Sequence, residues 1–283
     1  WRQGHEKQIL SDFSTLLAKP NVADNLADVD ANAAYISDLL TSRGFAVKLL
    51  RAAPGTPASV FAELKTPGAR RTVLFYAHYD GQPIGQKGWI TTPFEPVVRT
   101  ALPEARPIDW KGASALDPDW RLFGRSAGDD KGSIQALISA FDALTAGGVK
   151  PTVNIKLLYE GEEEQGSPHF AELVRQNLPL LKTDLLVMGD GPMHQSGRQQ
   201  INFGNRGIVS FDATVFGPTK PLHDGHYGSW APSPAVMIAT LVASLRDDEG
   251  NILIPGFYDD VQPVSEADRQ ALAALPDVEK IGR

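Results

Sequence analysis

Residues 72–80, Thr-Val-Leu-Phe-Tyr-Ala-His-Tyr-Asp, decide the fold because an apolar run of strand length ends there in polar side chains. Residues 153–159 and 185–188 are further runs of this kind. Such short apolar runs are typical of strands that are buried on both faces of a sheet. Residues 133–144, which lie between two of the runs, carry apolar side chains at helical spacing and precede a pair of glycines. This alternation of strand and helix predicts an α/β layered domain with a mostly parallel central sheet.

The segments around this core predict further elements. Apolar stripes predict helices over residues 5–18, 29–42 and 168–176, and shorter apolar stretches predict strands over residues 45–50 and 59–64. Gly44 follows the second of these helices and is a typical signal for its end.

The pattern changes after residue 206. Apolar and polar side chains alternate strictly over residues 208–216, which is typical of an antiparallel strand with one wet face. A helix is predicted over residues 233–245, and another begins at Ser265, where Ser265 and Asp268 can form a capping box. We therefore predict one domain over residues 1–206 and the first part of an α+β domain over residues 207–283.

Composition excludes several classes of function. The net charge of -7, from 34 acidic and 27 basic residues, argues against a nucleic-acid partner, which needs a basic surface. The chain has no cysteine, so any metal must be held by His, Asp and Glu. No apolar run approaches the roughly 20 residues that cross a bilayer, so we expect no membrane partner. The chain opens with Trp1 rather than Met, which favours a trimmed, periplasmic or secreted protein over a cytoplasmic one.

Residue types that bind metals stand at the ends of the predicted elements. His78 and Asp80 follow the first apolar run, four glutamates follow the second, Asp190 follows the third, and an acidic pair precedes the helix; the glutamates are Glu160, Glu162, Glu163 and Glu164, and the pair is Asp129 and Asp130. In open α/β sheets, sites form beyond the carboxyl ends of the strands. We therefore expect these side chains to meet at one edge of the sheet.

Each of these groups has an ordinary structural explanation when it is taken alone. Asp129-Asp130 fits a helix N-cap, the glutamates fit a solvated face, and Asp190 fits a turn. Their joint placement favours a metal site. One imidazole nitrogen of His78 can bind a metal while the other donates to Asp80. A carboxylate can bridge two metals, and a neighbouring glutamate that binds no metal can take a proton from water.

Four motifs together resemble the M20 family of metallopeptidases, which includes carnosine dipeptidases, glutamate carboxypeptidases and deacylases. They are Ala77-His-Tyr-Asp-Gly-Gln-Pro83, Gly128-Asp-Asp-Lys-Gly132, Glu160-Gly-Glu-Glu-Glu-Gln-Gly-Ser167 and Gly189-Asp190. The resemblance implies two Zn²⁺ ions, with Mn²⁺ or Co²⁺ as alternatives, in a catalytic domain that is followed by a lid domain. It implies these roles: His78 and Asp190 hold one zinc, Asp129 bridges, Glu164 binds the second zinc, Glu163 is the general base, and Asp80 orients His78. Glu162 is left outside the site.

The resemblance extends into the predicted second domain. Arg206-Gly207-Ile208 is similar to the family's crossing into the lid. Leu222-His223-Asp224-Gly225 is similar to the lid segment whose histidine, in dimeric members, reaches the partner's active site and stabilises the oxyanion. This implies a homodimer that forms through the lid, with His226 as the competing assignment. The other histidines are interpreted as ordinary surface residues: His5, His169 and His194.

The expected activity is hydrolysis of a C-terminal or dipeptide amide bond, with a small peptide as substrate. The family takes its final zinc ligand from a histidine near its C-terminus, and no histidine follows His226. We therefore expect this chain to be a fragment of a longer protein. A deacylase of N-acyl amino acids, a degenerate metal-binding protein without activity, and a protein whose acidic turns are only helix caps remain alternatives.

Overall fold

The structure, a computed structural model, describes residues 1–85, 88–100, 102, 104–191, 193–194, 196–202, 204–205, 207–228 and 230–276. It divides into two compact units, Trp1–Pro192 and Met193–Arg283. The predicted boundary after residue 206 falls inside the second unit, and the lid assignment of residues 207–283 stays a prediction. Arg206, which belongs to the crossing motif, lies outside the described residues.

The strands of the described residues all lie in the first unit. In chain order they are β1 Ala46–Leu50, β2 Ser59–Leu64, β3 Thr72–His78, β4 Val97–Arg99, β5 Arg121–Phe123, β6 Asn154–Glu160 and β7 Leu185–Met188. Five of them form one sheet in the order β1-β2-β6-β3-β7, and β4 pairs with β5 in a separate two-stranded antiparallel sheet. The strands predicted over residues 45–50, 59–64, 72–77, 153–159 and 185–188 are thus confirmed within one or two residues.

The direction of the strands confirms a mostly parallel sheet. β3 runs parallel to both β6 and β7, whereas β2 is antiparallel to β6 and to β1, so four of the five strands point the same way. His78 pairs with Glu160, and Tyr76 pairs with Met188. Because Asp190 lies two residues beyond Met188, it comes level with His78. The register therefore brings the ends of three strands to one edge.

Eight helices are described. They are α1 Arg2–Leu17, α2 Leu26–Thr41, α3 Lys131–Ala146, α4 Phe170–Gln176, α5 Leu178–Leu181, α6 Asp224–Tyr227, α7 Pro234–Ala243 and α8 Glu266–Ala273, with a 3₁₀ turn at Glu163–Gln165. Gly44 adopts φ +85° just after α2, a left-handed conformation that suits the predicted stop. The predicted capping box of α8 is confirmed, because Ser265 and Asp268 each accept from the other's backbone. Within the described chain, every helix falls short of the length and apolar character that crossing a bilayer requires.

The sheet is buried on two faces at its centre. The larger cluster packs α1, α2 and α3 against one face and includes Leu16, Ile36, Ile134, Leu157 and Tyr159. A smaller cluster, with Phe61, Leu74, Leu158 and Leu181, covers the other face. Neighbouring residues of β6 thus enter opposite clusters, which explains why its sequence is apolar without alternation.

The structure contradicts two expectations. Leu185, Leu186, Val187 and Met188 of β7 are 37–55 % exposed, although the apolar run predicted burial on both faces. β7 forms the edge of the described sheet, and neither of the two core clusters that cover the central strands includes one of its side chains. Residues 208–216 form no strand within the described residues, and Ile208 is 92 % exposed. Alternation predicts a half-buried strand only where a neighbouring strand pairs with it, and none is described beside this segment.

We expect the replacement Ile138→Ala to lower the free energy of unfolding by about 2–5 kcal/mol, because the deleted atoms leave a cavity in a packed core. Ile138 of α3 is buried in the larger cluster. Leu144→Ala is the matched control on the same helix, because Leu144 is 43 % exposed and should cost about 1 kcal/mol or less. Urea denaturation measures both. Equal losses of unfolding free energy in the two variants would contradict the assignment of Ile138 to the buried side of α3 and Leu144 to the exposed side.

Candidate metal centre

His78 lies at the centre of the candidate site. It ends β3, and its imidazole is fully buried. Its Nε2 lies 2.8 Å from Oδ1 of Asp129 and 3.9 Å from Oε2 of Glu163, while its Nδ1 lies 3.3 Å from Oδ1 of Asp80. The two ring nitrogens therefore face different carboxylates. One nitrogen is available to a metal, and Asp80 faces the other, the arrangement that fixes a tautomer.

Asp80 connects two of the predicted motifs. Its fully buried carboxylate accepts a hydrogen bond from the backbone nitrogen of Glu164 through Oδ2, at 2.9 Å. Its other oxygen is the one that faces His78. Asp80 therefore holds the imidazole and the 3₁₀ turn with one side chain, which goes beyond the orienting role expected for it.

The acidic pair at the start of α3 divides into an exposed and a buried residue. The carboxylate of Asp129 is 70 % exposed and contacts His78, whereas Asp130 is buried and accepts from the backbone nitrogen of His78 at 3.2 Å. Their shared peptide bond is cis. Burial raises the pKa of Asp130 to about 6. Asp130 thus ties α3 to the end of β3, a contact that the N-cap interpretation did not foresee.

Two sets of side chains have the geometry of metal ligands. One consists of His78, Asp129 and Glu164, and the other of His78, Glu163 and Asp190; within each set the ligand atoms lie within 4.8 Å of one another. The structure therefore brings together all five residues that the sequence assigned to ligands and base. Glu163, expected to act as base, also lies within reach of a ligand position.

The chemistry of this donor set suits a divalent cation. All the donors are imidazole nitrogens and carboxylate oxygens, which Zn²⁺ and Mn²⁺ accept. Among the described residues, none of the four carboxylates forms an ion pair with Lys or Arg; they are Asp129, Glu163, Glu164 and Asp190. Within the described part of the chain, His78 is therefore the cationic partner of these carboxylates, and a bound metal would supply further positive charge.

The close approach of several carboxylates changes the pKa values of groups at the site. Burial alone would lower the pKa of His78, but the neighbouring carboxylates, chiefly Asp80 and then Asp129, raise it to about 10. Burial raises the pKa of Glu163, as do the charges of Asp190 and Glu164, while His78 opposes them. A raised pKa suits a carboxylate that exchanges protons with substrate.

Two further glutamates of the motif have other partners. Glu162 turns away from the centre and accepts from the backbone nitrogen and from Nδ1 of His169, each at 2.8 Å, which agrees with its expected place outside the site. His169 is the N-cap residue of α4, and its side chain is 49 % exposed, so it lies on the surface as expected but has a carboxylate partner. Buried Glu160 accepts from the hydroxyl of Tyr76 at 2.7 Å, and burial raises its pKa to about 7. The sequence analysis did not predict this pair. The feature that could have indicated it is a glutamate in register with His78.

The candidate lid histidine lies in the second unit. His223 precedes α6, its side chain is 73 % exposed, and its Nδ1 accepts from the backbone nitrogen of Gly225. The rings of His223 and His226 lie 5.2 Å apart. The two remaining histidines have local partners among the described residues, since His5 stacks on Trp1 and His194 contacts Ser196.

The chain is similar in sequence to a known peptidase family. The sequence model of Peptidase family M20/M25/M40 matches residues 74–278. A Cys-Gly metallodipeptidase of Schizosaccharomyces pombe is 32 % identical over 208 residues, which are 72 % of this chain and 40 % of that protein. The Beta-Ala-His dipeptidase of Homo sapiens is 32 % identical over 222 residues, 77 % of this chain and 40 % of that protein. The chain thus spans about two fifths of the length of these relatives.

Solved structures agree with this relationship. An M20 family metallo-carboxypeptidase from Sulfolobus solfataricus superposes with a TM-score of 0.70 at 27 % identity, over 96 % of this chain and 58 % of that one. Human carnosine dipeptidase 1 gives a TM-score of 0.65 at 25 % identity, over 98 % of this chain and 58 % of that one. The α/β fold with its mostly parallel sheet is therefore that of M20 peptidase structures. The chain belongs to Peptidase family M20/M25/M40.

Proposed function

We propose that the protein is a metal-dependent peptidase that hydrolyses the amide bond of a dipeptide or of a C-terminal residue. The observation that carries the proposal is the meeting of two ligand sets around His78 at the carboxyl edge of the sheet. The names of the relatives support the choice of substrate, because they include dipeptidases and a metallo-carboxypeptidase. Small peptides are therefore the substrate class that we assign to the site.

The ligands divide between two positions in this proposal. His78 and Asp190 would hold one Zn²⁺, Glu164 would hold the second, and Asp129, whose carboxylate is 70 % exposed, would contribute to both. When bound, such cations polarise the scissile carbonyl and make an attacking water more acidic. Asp80 keeps His78 in the required orientation through its contact with Nδ1.

Glu163 is the proposed general base. It is half-buried beside His78, with its Oε2 3.9 Å from Nε2, so its carboxylate faces the same space as the ligands. It takes a proton from the attacking water and passes that proton to the leaving amine. The burial that raises its pKa makes the carboxylate a better proton acceptor than a solvated glutamate.

His223 is the proposed donor to the oxyanion. Its Nδ1 accepts from a backbone nitrogen, so the proton of a neutral ring lies on Nε2 and that nitrogen is the one able to donate. Its side chain is largely exposed and accessible to a partner. A homodimer formed through the second unit, in which His223 serves the partner's site, is the assembly that we propose.

Removal of metal should abolish activity. We expect treatment with a chelator to stop hydrolysis of Cys-Gly and β-Ala-His, and Zn²⁺, Mn²⁺ or Co²⁺ to restore it, because the carboxylate cluster cannot polarise a carbonyl without a cation. Chromatographic detection of the released amino acids measures this. Faster hydrolysis of N-acetyl amino acids would instead favour the deacylase. No hydrolysis of either class, with metal bound, would favour a non-catalytic protein.

The replacement Glu163→Gln should lower kcat by about 10²- to 10⁴-fold, the typical contribution of a general base. Bound metal, measured by mass spectrometry of the metals, should stay unchanged because the base is not a ligand. Glu164→Gln is the matched control on the neighbouring residue and should lose metal. If Glu163→Gln loses metal instead, then Glu163 is a ligand, as the second geometric set allows.

The replacement His223→Ala should lower kcat by about 10²- to 10³-fold, because one donor to the oxyanion is lost. His226→Ala, which changes the adjacent ring, should leave kcat within about threefold, a difference of less than 1 kcal/mol in the barrier. Steady-state kinetics with a dipeptide compare the two. The opposite order of effects would assign the oxyanion role to His226.

A further inference from the structure

Lys131 is a buried lysine whose partners are the carbonyls at the end of a helix. It is the first residue of α3 and is fully buried. Its Nζ donates to the backbone oxygens of Leu16 and Lys19, at 3.0 and 2.9 Å, where α1 ends. In the part of the chain that the structure describes, it forms no ion pair with a carboxylate. A buried lysine is unfavourable unless its donors are satisfied, so this attachment has a structural purpose.

The attachment does not depend on the charge of Lys131. Burial lowers the pKa of Lys131 to about 7. Both the neutral amine and the ammonium offer at least two N–H donors, and two carbonyls accept them. The connection between α3 and the end of α1 therefore persists in either protonation state.

The attachment lies next to a proposed metal ligand. Asp129 is two residues before Lys131, and its carboxylate is 70 % exposed. Oδ1 of Asp129 contacts Nε2 of His78 at 2.8 Å, and the rest of its position follows from the backbone of residues 126–131. That backbone is held by the bond from Lys131 N to Ser126 O, at 3.1 Å, and by the Nζ contacts with α1.

The segment after α1 also holds the loop that follows His78. Buried Asn21 donates through Nδ2 to the backbone oxygen of Tyr79 at 2.7 Å and to Oγ of Ser126 at 2.9 Å. The backbone oxygen of Asn21 accepts from Gly81 N at 2.9 Å. One amide therefore contacts the loop that follows His78 and the loop that carries Asp129.

The fit between these loops leaves no room for adjustment at Gly81. A Cβ added there would lie 2.6 Å from Oγ of Ser126 and 3.2 Å from the Asn21 amide. The backbone after His78 thus packs directly against the Asn21 and Ser126 side chains. Movement of the segment after α1 would therefore be transmitted to both loops.

We propose that Lys131 and Asn21 are positioning residues of the metal centre, which fix the His78 and Asp129 loops to the segment that follows α1. This inference rests on the proposed function, because it concerns the metal ligands proposed there. It holds that the distance between these ligands is fixed by contacts that involve no ligand atom. Neither residue reaches the reacting atoms. Their effect is on metal affinity and on the geometry around the metal.

Lys156 provides a matched control. It is also a buried lysine, and its Nζ donates to the backbone oxygens of Leu180 and Lys182, at 2.6 and 2.8 Å, where α5 ends. It also lies 4.0 Å from Oε1 of Glu63, and these three partners are outside the two loops. Lys131→Met and Lys156→Met therefore both remove the donation of a buried lysine to carbonyls at a helix end, once beside the proposed metal centre and once away from it.

The experiment is a titration of the metal-free chain with Co²⁺, followed by the visible absorption of the bound ion. We expect Lys131→Met to lower Co²⁺ affinity by about 10- to 100-fold, the usual effect of losing an outer contact of a metal site, and to change the shape of the spectrum. Lys156→Met should keep the wild-type affinity and spectrum. Thermal unfolding without metal should show a comparable loss of stability in both variants.

The outcomes separate the two proposals. If the wild-type chain binds no Co²⁺, the proposed function fails. If the wild-type binds and Lys131→Met binds equally well with the same spectrum, only the positioning role fails. Equal weakening in Lys131→Met and Lys156→Met would also overturn it, because general destabilisation would then explain both. If Lys131→Met does not fold, Asn21→Ala decides in its place, with a weaker affinity and an altered spectrum expected.

Discussion

The structure depends on one electrostatic constraint, which is the crowding of carboxylates around a buried imidazole. His78 ends a central strand with no exposure to water, and Asp80, Asp129 and Glu163 approach its two nitrogens within 4 Å. A fold tolerates such a concentration of like charges only where a cation or shared protons compensate them. The raised pKa of His78 shows how strongly the site favours positive charge at this point.

The residues that meet this constraint fall into two layers. Asp129 and Asp190 are exposed and face open space, whereas Asp80, Asp130 and Glu160 are buried and bond to backbone or to a tyrosine hydroxyl. The buried layer joins the end of β3 to α3, to the 3₁₀ turn and, through Tyr76, to β6. Because it makes no contact with solvent, its geometry is set by the fold. The exposed carboxylates lie at the same edge of the sheet, where Asp129 contacts His78 and Asp190 belongs to a ligand set with it.

The sequence predicts those parts of the molecule that depend on local pattern. The strands β3 and β6 and the helix α3 follow from apolar runs and stripes, and the meeting of His78 with Asp190 follows from parallel register. The predicted burial of β7 and the predicted strand over residues 208–216 were wrong. Each depends on a neighbouring element that the pattern of apolar residues does not identify. The attachments of Asp130 and Lys131 could not be predicted either. Their partners are backbone N–H and carbonyl groups of residues distant along the chain, and a sequence pattern does not show which backbone groups will lie near a given side chain.

The three glutamates of the run Glu162-Glu163-Glu164 have different partners, although their side chains are chemically identical. Glu162 precedes the 3₁₀ turn as its N-cap, whereas Glu163 and Glu164 lie on the turn, where successive side chains point about 120° apart. Glu162 accordingly pairs with His169, Glu163 faces His78, and Glu164 contacts Gln82 at 2.6 Å while its backbone nitrogen donates to Asp80. The contact with Asp80 holds the turn beside His78, and the carboxylates of Glu163 and Glu164 lie near the imidazole in different ligand sets. The distinction between a proposed base and a proposed ligand therefore depends on the geometry of the turn and not on the chemistry of the side chains, because both are glutamates.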